Sequence, residues 1–186
     1  MKIGVISDTH GYFERYQLAC EKFFSDADLI LHAGDVINHG AKNPNCKGDD
    51  YNPMALANLI NASKIPVIIC RGNCDSEVDQ LVIDTPIQAP YAYVFANGKK
   101  IVLTHGHNID ADKMAASLKA DIFITGHIHK NILEKRGDTI FLNPGTPAKY
   151  LSNRADKKTT AAVISDEDIK IFDLDSGKIL LALKLE

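Results

Sequence analysis

The sequence predicts a single α/β domain, and three observations lead to that prediction. Short apolar runs such as Lys2–Ser7 have the length and the β-branched residues of buried strands. After the first run, aromatic and apolar residues repeat at helical spacing from Phe13 to Phe24, which predicts a helix of about four turns. A chain of 186 residues, 45% of them hydrophobic, is long enough to bury one real core. We therefore expect one domain over residues 1–186.

Two further helices are predicted from their capping residues. The pair Asn52-Pro53 fits an N-cap followed by the first helical position, so a helix is expected to about Ala62. Asp110 can cap a third helix, with Ile109 and Met114 placed as a hydrophobic staple. In the helix that begins at Asn52-Pro53, three side chains are expected to face inward, namely Met54, Ala57 and Ile60.

The remaining apolar runs predict strands joined by turns. The runs are Asp28–Ala33, Pro66–Cys70, Tyr91–Ala96, Lys99–Thr104, Asp121–Thr125 and Thr139–Leu142. Asn97-Gly98, between two of them, is the residue pair typical of a tight hairpin. Residues 160–186 predict a β meander, and residues 36–51 a long loop of the kind that often forms a lid or a pocket wall.

Charge and cysteine content exclude several classes of protein. A net charge of −3 and a pI near 6.1 provide no basic field for a nucleic-acid backbone, so no nucleic-acid partner is expected. No export signal or long apolar span is seen, so we expect a cytoplasmic protein without membrane contact. The cysteines are expected to be free thiols, since none belongs to a Cys-X-X-Cys pair: Cys20, Cys46, Cys70 and Cys74.

Residues that can bind metal follow five of the predicted strands directly. Two of them, His127 and His129, come after Gly126 at spacing i, i+2, which places both rings on one face of an extended chain. The carboxyl ends of strands form the ligand crevice of an α/β sheet, so these residues are expected to converge. The other five are Asp8, His10, Asp35, Asn73 and His105.

The chemistry of this set indicates two metal ions. Two carboxylates, four imidazoles and one amide oxygen suit manganese, zinc, iron or nickel, and they suit calcium or a thiolate-preferring metal poorly. Seven ligands are too many for one tetrahedral ion and about right for two ions that share a carboxylate. Asp35 is the expected bridge, because it stands alone on its strand. Two ions roughly 3.5 to 4 Å apart are a common arrangement for phosphoryl hydrolysis, since they lower the pKa of a bridging water.

The same residues resemble the five motifs of the calcineurin-like metallophosphoesterases. All five motifs occur in family order between positions 8 and 129. The resemblance implies a four-layer αββα sandwich, with two facing sheets flanked by helices. It also implies two ligand sets, Asp8, His10, Asp35 and His129 for one ion, and Asp35, Asn73, His105 and His127 for the other.

Longer stretches resemble the small bacterial YfcE-type phosphodiesterases. These are Asp35–Gly40 and Arg71–Gln80, and the resemblance extends over nearly the whole chain, including the turn Asn143-Pro144-Gly145. It implies manganese-dependent hydrolysis of phosphodiesters by a metal-bridging hydroxide. A homo-oligomer is compatible with the family.

One position departs from the family pattern. Many members carry a histidine after the Gly-Asn of the third motif, where this chain has Cys74. A thiol has an ordinary pKa of about 8.5 and is neutral when protonated, so it cannot replace an imidazolium. We therefore expect weaker general-acid catalysis and better activity on esters with good leaving groups. His39, in the loop after Asp35, is our hypothesis for a residue that approaches the leaving group instead.

Three residues have both a functional and a structural interpretation, and a fourth, His32, has a structural one. His107 is a contact for the substrate phosphate, a turn residue, or a donor to a metal ligand. Arg71 is either a phosphate contact or half of a structural ion pair. Cys74 is either a packed thiol or, as we prefer, a residue beside the site. His32 lies inside an apolar strand, so we expect a hydrogen-bonded core histidine.

The sequence therefore predicts a dinuclear metal-dependent phosphodiesterase. The second possibility is a phosphomonoesterase acting on nucleotides or sugar phosphates, because a fold does not decide a substrate. A third is a non-catalytic binding module, since one branch of the family serves as a trafficking-complex scaffold and has lost ligand histidines. This chain keeps the family residue type at all seven ligand positions, which favours the enzyme.

Overall fold

Two β-sheets and three α-helices make up the part of the chain that the structure describes. The computed structural model describes residues 1–40, 50–151 and 157–185. The helices are α1 (Phe13–Ala19), α2 (Pro53–Asn61) and α3 (Ala111–Leu118). The strands are β1 (Ile3–Ile6), β2 (Leu29–His32), β3 (Val67–Ile69), β4 (Tyr91–Ala96), β5 (Lys99–Thr104), β6 (Ile122–Ile124), β7 (Asn131–Arg136), β8 (Thr139–Pro144), β9 (Thr160–Ile164), β10 (Asp168–Asp173) and β11 (Ile179–Lys184).

The sheets face each other, and the helices cover their outer surfaces. The first sheet has the order β11-β10-β9-β1-β2-β3, and the second has the order β4-β5-β6-β8-β7. Leu31 of the first sheet and Leu103 of the second share the core between them. The outer core of the first sheet includes Tyr16 and Leu56 from α1 and α2, and Ala115 of α3 packs against the second sheet. This is the predicted αββα sandwich.

The helices begin as the sequence predicts, and one prediction about them is wrong. The side chains of Asn52 and Asp110 accept the capping hydrogen bonds of α2 and α3. After α1 the chain continues as one π-helical segment, Cys20–Phe24, which buries Phe24. Met54, predicted to face inward, is 51% exposed. The buried stripe of α2 instead runs through Leu56, Ala57 and Ile60, which turns the second helical position towards solvent.

Strand β7 is not predicted from the sequence. This edge strand, Asn131–Arg136, is exposed at its charged end and shows little apolar alternation. Its pairing with β8, from Asn131 opposite Pro144 to Arg136 opposite Thr139, accounts for it. Tertiary hydrogen bonding overrides a weak local pattern here. The predicted hairpin at Asn97-Gly98 and the C-terminal meander of β9, β10 and β11 are both present.

Two other predictions concern residues that are only partly described. Residues 41–49 of the predicted loop lie outside the described residues, and so does Cys46. The other three cysteines are free thiols, Cys20, Cys70 and Cys74.

None of the helices in residues 1–40, 50–151 and 157–185 has the length and hydropathy to cross a membrane.

The topology brings five strand ends to one edge of the sandwich. In the first sheet, β1, β2 and β3 are parallel neighbours. In the second sheet, β5 and β6 are also parallel neighbours. The segment after each of these strands carries one or two of the predicted ligands. The ligands therefore come from two sheets, whereas the sequence alone suggested the edge of a single sheet.

Candidate metal centre

One half of the cluster forms around the Asp8 carboxylate. Oδ1 of Asp8 lies 3.2 Å from Nε2 of His129 and 3.7 Å from Nε2 of His10. Nε2 of His10 is 3.2 Å from Nε2 of His129 and 3.7 Å from Oδ2 of Asp35. Asp8, His10 and His129 thus present three ligand atoms that are close enough to share one ion.

The other half forms around His105. Its Nε2 lies 3.3 Å from Oδ2 of Asp35, 3.0 Å from Oδ1 of Asn73 and 4.0 Å from Oδ1 of Asp8. The ring of His127 lies beside it, with 5.2 Å between the ring centroids. Six of the seven predicted ligands therefore meet through polar side-chain atoms, and the side chain of His127 lies beside them.

Three of these histidines are oriented in the same way. In each, Nδ1 lies within hydrogen-bond distance of a main-chain oxygen, which can only accept, so Nδ1 carries the proton and donates it. Nε2 then points into the cluster, and its lone pair is available to a cation in the neutral ring. The pairs are His10 with Asn38 at 2.6 Å, His105 with Ala33 at 2.7 Å and His129 with Leu151 at 2.9 Å.

The two oxygens of Asp8 have different surroundings. Oδ2 accepts hydrogen bonds from Oγ of Ser7 at 2.6 Å and from the main-chain N–H of His127 at 2.9 Å. Oδ1 is buried and has no hydrogen-bond partner among the described residues. A buried anionic oxygen without a donor is costly unless a cation compensates it. The donor set therefore fits divalent cations, with Oδ1 of Asp8 aimed at one of them.

The backbone is unusual at five of the seven predicted ligands. These residues have positive φ, a backbone conformation that residues other than glycine rarely adopt. Such positions persist where the surrounding structure holds them, and they concentrate at functional sites. The residues and their φ values are Asp8 (55°), His10 (45°), Asp35 (58°), His127 (69°) and His129 (55°).

Asp75 holds the loop that carries Asp35. Its buried carboxylate accepts three main-chain hydrogen bonds, from Asp35 and Val36 at 2.8 Å each and from Gly72 at 2.7 Å. Burial raises the pKa of Asp75, as does the charge of Asp35, while the main-chain N–H groups oppose the shift. This role is not predicted from the sequence, where its one signal is an acidic residue two positions after Asn73.

The ionisable groups of the cluster balance one another. Burial works against ionisation of Asp8, but the adjacent imidazoles of His10, His129 and His105 outweigh it and lower the pKa of Asp8. Burial likewise works against the charge on His105, but the carboxylates of Asp35 and Asp8 raise its pKa to about 9. Burial also works against ionisation of Asp35, but the neighbouring His105 outweighs it and lowers the pKa of Asp35. Cations that bind such a site displace protons.

A groove of about 670 Å³ opens beside the cluster. Its lining includes Arg71, Asn73, His107 and His127. Nη1 of Arg71 donates to Oε1 of Gln88 at 3.2 Å, and no carboxylate pairs with it among the described residues, which removes the ion-pair interpretation there. The ring of His107 lies 5.5 Å from that of His105, and burial together with the charge of His105 lowers its pKa.

Comparison with known proteins identifies the family. A model of the calcineurin-like phosphoesterase superfamily domain matches residues 1–168. The chain belongs to this family. The predicted family and fold are thereby confirmed. Hydrolases of this family depend on metal, so the family implies divalent metal ions.

Several known proteins are similar to this chain. Phosphodiesterase YfcE of Escherichia coli K12 is 37% identical over 147 residues, which cover 78% of this chain and 79% of YfcE. Phosphodiesterase MJ0936 of Methanocaldococcus jannaschii is 29% identical over 160 residues, 82% of this chain and 87% of that one. The solved structure of E. coli YfcE aligns over all of both chains with a TM-score of 0.85 and 28% identity. Zinc-bound Vps29 of Entamoeba histolytica, at 22% identity, a TM-score of 0.64 and coverage of 100% and 98%, shares the fold.

Cys74, the position at which this chain departs from the family pattern, lies next to Asp35. The main-chain N–H of Cys74 donates to Oδ1 of Asp35 at 2.8 Å, and its Sγ accepts from Nδ2 of Asn73 at 3.2 Å. Burial, together with the nearby carboxylates, raises the pKa of the Cys74 thiol well above its usual range.

His39, the other residue considered for the leaving group, lies beside a tyrosine. Its Nδ1 is 2.9 Å from the hydroxyl oxygen of Tyr51.

His32 is the hydrogen-bonded core histidine that the sequence predicts. Thr9 Oγ1 donates to the main-chain oxygen of Val36 at 2.8 Å and lies 2.9 Å from Nε2 of His32, from which it accepts. Nδ1 of His32 accepts from the main-chain N–H of Gly34 at 3.1 Å. Burial lowers the pKa of His32 to about 3, so the ring is neutral and stabilises the two loops between which it lies.

Proposed function

We propose that this protein is a phosphodiesterase that uses two divalent cations, with Mn²⁺ as the expected metal and Zn²⁺, Fe²⁺ or Ni²⁺ as alternatives. The observation that carries the proposal is the buried Oδ1 of Asp8, which lacks a donor among the described residues and lies among imidazole nitrogens. The names of the relatives, phosphodiesterases YfcE and MJ0936, support the diester as the substrate.

We propose the following roles for the cluster. One cation is held by Asp8, His10, Asp35 and His129, and the other by Asp35, Asn73, His105 and His127. When bound, two such cations activate a water molecule and neutralise charge on the phosphate oxygens. Oδ2 of Asp35 supports the bridging role, since it lies 3.7 Å from Nε2 of His10 and 3.3 Å from Nε2 of His105.

The groove beside the cluster is our proposed binding site for the ester. Arg71 and His107 contact the phosphate or the ester group in this proposal, because both line the groove together with two of the proposed metal ligands. A guanidinium presents several N–H donors in a plane, which suits phosphate oxygens. The substrate we propose is a small phosphate ester, with no nucleic acid and no membrane involved. The chain then acts as one cytoplasmic domain and can assemble as a homo-oligomer.

Metal-stripped protein gives the first test. We expect Mn²⁺ to raise hydrolysis of bis-p-nitrophenyl phosphate by at least about 100-fold, because the cations supply the nucleophile. Turnover of the diester is expected to exceed that of p-nitrophenyl phosphate by about tenfold. Ca²⁺ is the matched control and should restore little activity, since a histidine-rich donor set suits it poorly.

The outcomes separate the possible functions. A preference for the monoester would favour a phosphomonoesterase acting on nucleotides or sugar phosphates. Absence of turnover with any divalent cation, in protein that nevertheless binds Mn²⁺, would favour a binding module on the same fold.

We expect two variants to have opposite effects on esters with poor leaving groups. Cys74→His should raise kcat for phenyl methyl phosphate about tenfold, because an imidazolium can protonate the leaving oxygen. His39→Ala should lower kcat for that ester by about tenfold. Neither variant should change kcat for bis-p-nitrophenyl phosphate more than about twofold, since the p-nitrophenolate leaving group needs little protonation. Gly40 lies close to Cys74, since a Cβ at Gly40 would be 2.6 Å from Sγ of Cys74. This supports a position for the preceding residue, His39, on the same side of the site as Cys74.

The control for this pair is Cys74→Ser, whose neutral hydroxyl should give no gain. An unchanged rate on the phenyl ester in His39→Ala would contradict the role of His39. A Cys74→Ser gain equal to that of Cys74→His would show that proton donation is not the cause.

A further inference from the structure

Asp79 is a buried carboxylate outside the metal cluster. It begins a 3₁₀ turn, Asp79–Leu81, and is 5% exposed. Nδ2 of Asn38 donates to both of its oxygens at 2.7 Å, and the main-chain N–H of Ser76 donates to Oδ2 at 2.8 Å. These donors compensate the burial of the carboxylate.

Asn38 connects this carboxylate to the cluster. While its side chain donates to Asp79, its main-chain oxygen accepts the Nδ1 proton of His10 at 2.6 Å. His10 is 1% exposed, and its Nε2 faces Asp8 and Asp35. One residue, three positions after Asp35, therefore contacts both the remote carboxylate and a proposed metal ligand.

The contact to His10 has a chemical consequence. A carbonyl acceptor at Nδ1 determines which ring nitrogen carries the proton, and it sets the plane of the imidazole. Rotation of the Asn38 peptide would remove both effects. The turn at Asp79 needs only one carboxylate oxygen, which accepts from Ser76. Among the described residues, Asn38 is the one donor to the other oxygen, Oδ1.

We propose that Asp79 is a positioning residue for one metal ion of the centre. It holds the Asn38 side chain, and the main-chain oxygen of Asn38 in turn holds His10 with Nε2 towards the cluster. The inference rests on the proposed metal-dependent function. It extends that function to a carboxylate 69 positions away from His10 in the sequence, which belongs to none of the five motifs.

Titration of metal-free protein with Mn²⁺, followed by calorimetry and by metal content after dialysis, tests the inference. Asp79→Asn is expected to weaken one of two binding events by about 10- to 100-fold, the range for loss of a group that orients a ligand. The other event should change by less than about threefold, since the hydrogen bonds of Asn38 among the described residues go to His10 and Asp79 and not to the ligands of the second ion. Asn38→Ala, which keeps the main-chain oxygen, should have the same effect as Asp79→Asn.

A reciprocal exchange provides the rescue. In the double variant Asn38→Asp with Asp79→Asn, the amide at position 79 can donate to the carboxylate at position 38 and still accept from Ser76. Affinity should return to within about threefold of wild type. Asn61→Ala is the matched control, because Asn61 holds the same segment through Val82 and Asp84 without contacting Asn38. It should leave both binding events unchanged.

The outcomes separate this inference from the proposed function. Equal weakening of both events, or no weakening in either single variant, would overturn the role of Asp79. Failure of the exchange to restore affinity in folded protein would overturn it as well. If Asp79→Asn does not fold, Asn38→Ala and the exchange decide the question. Wild-type protein that binds no Mn²⁺ would instead contradict the proposed function.

Discussion

Asp35→Asn is expected to lower Mn²⁺-dependent hydrolysis of the diester by at least about 10³-fold, measured as kcat/KM. Oδ2 of Asp35 lies between the two halves of the cluster, within 3.7 Å of Nε2 of both His10 and His105. An amide has the same shape, but it carries no charge and offers one oxygen. Bound Mn²⁺ should fall from two ions per chain to at most one.

The control for this variant is Asp26→Asn, which removes an exposed carboxylate that pairs with Lys2. It should change neither activity nor metal content. Circular dichroism spectra of both variants should match that of the wild type, so that a loss of activity in Asp35→Asn is not a loss of fold. Two bound ions together with activity within about tenfold of wild type would contradict the bridging role.

Gly72→Ala is expected to have the second largest effect. A Cβ at Gly72 would lie 2.1 Å from Oδ1 of Asp35 and 2.4 Å from its main-chain nitrogen. The Asp35 backbone cannot retreat easily, because its N–H donates to the buried Asp75. We expect activity to fall by about 100-fold, since a small displacement of a reacting group can cost that much. The free energy of unfolding should fall by about 1 to 3 kcal/mol, as in other overpacked sites, measured by urea denaturation.

Gly98→Ala is the matched control for the glycine. Gly98 lies in the turn between β4 and β5 with a φ of +69°, and a Cβ there would meet nothing within 4 Å. It should cost about 1 kcal/mol through backbone strain and leave activity unchanged. Full activity in Gly72→Ala would show that Asp35 does not require the close approach of the two loops.

The sequence predicts much of the fold because the signals for its elements are local. Asn97 and Gly98 form the predicted hairpin turn, both with positive φ, because few other pairs adopt that backbone. Asn52 and Asp110 cap helices because each side chain reaches an N–H three residues along its own chain. The metal-ligand types at the strand ends are equally visible, since apolar runs and breakers mark where each strand stops.

Tertiary structure alone decides how those strand ends are assembled. Whether His105 follows a strand of the same sheet as Asp8 depends on pairing between distant segments, which has no local pattern. The same is true of β7, which exists through its ladder to β8, and of Met54, whose exposure depends on how α2 lies on its sheet.

The residues that hold the site also come only from the tertiary structure. Asp75 accepts from main-chain N–H groups of Asp35 and Val36, about 40 positions away, and Asp79 reaches His10 through Asn38. Every residue except proline has a main-chain N–H, so the sequence does not indicate which of them a buried carboxylate will meet. The sequence by itself determined which side chains can bind metal. The packing of the loops decided which of their atoms face one another, because those contacts join segments that are remote along the chain.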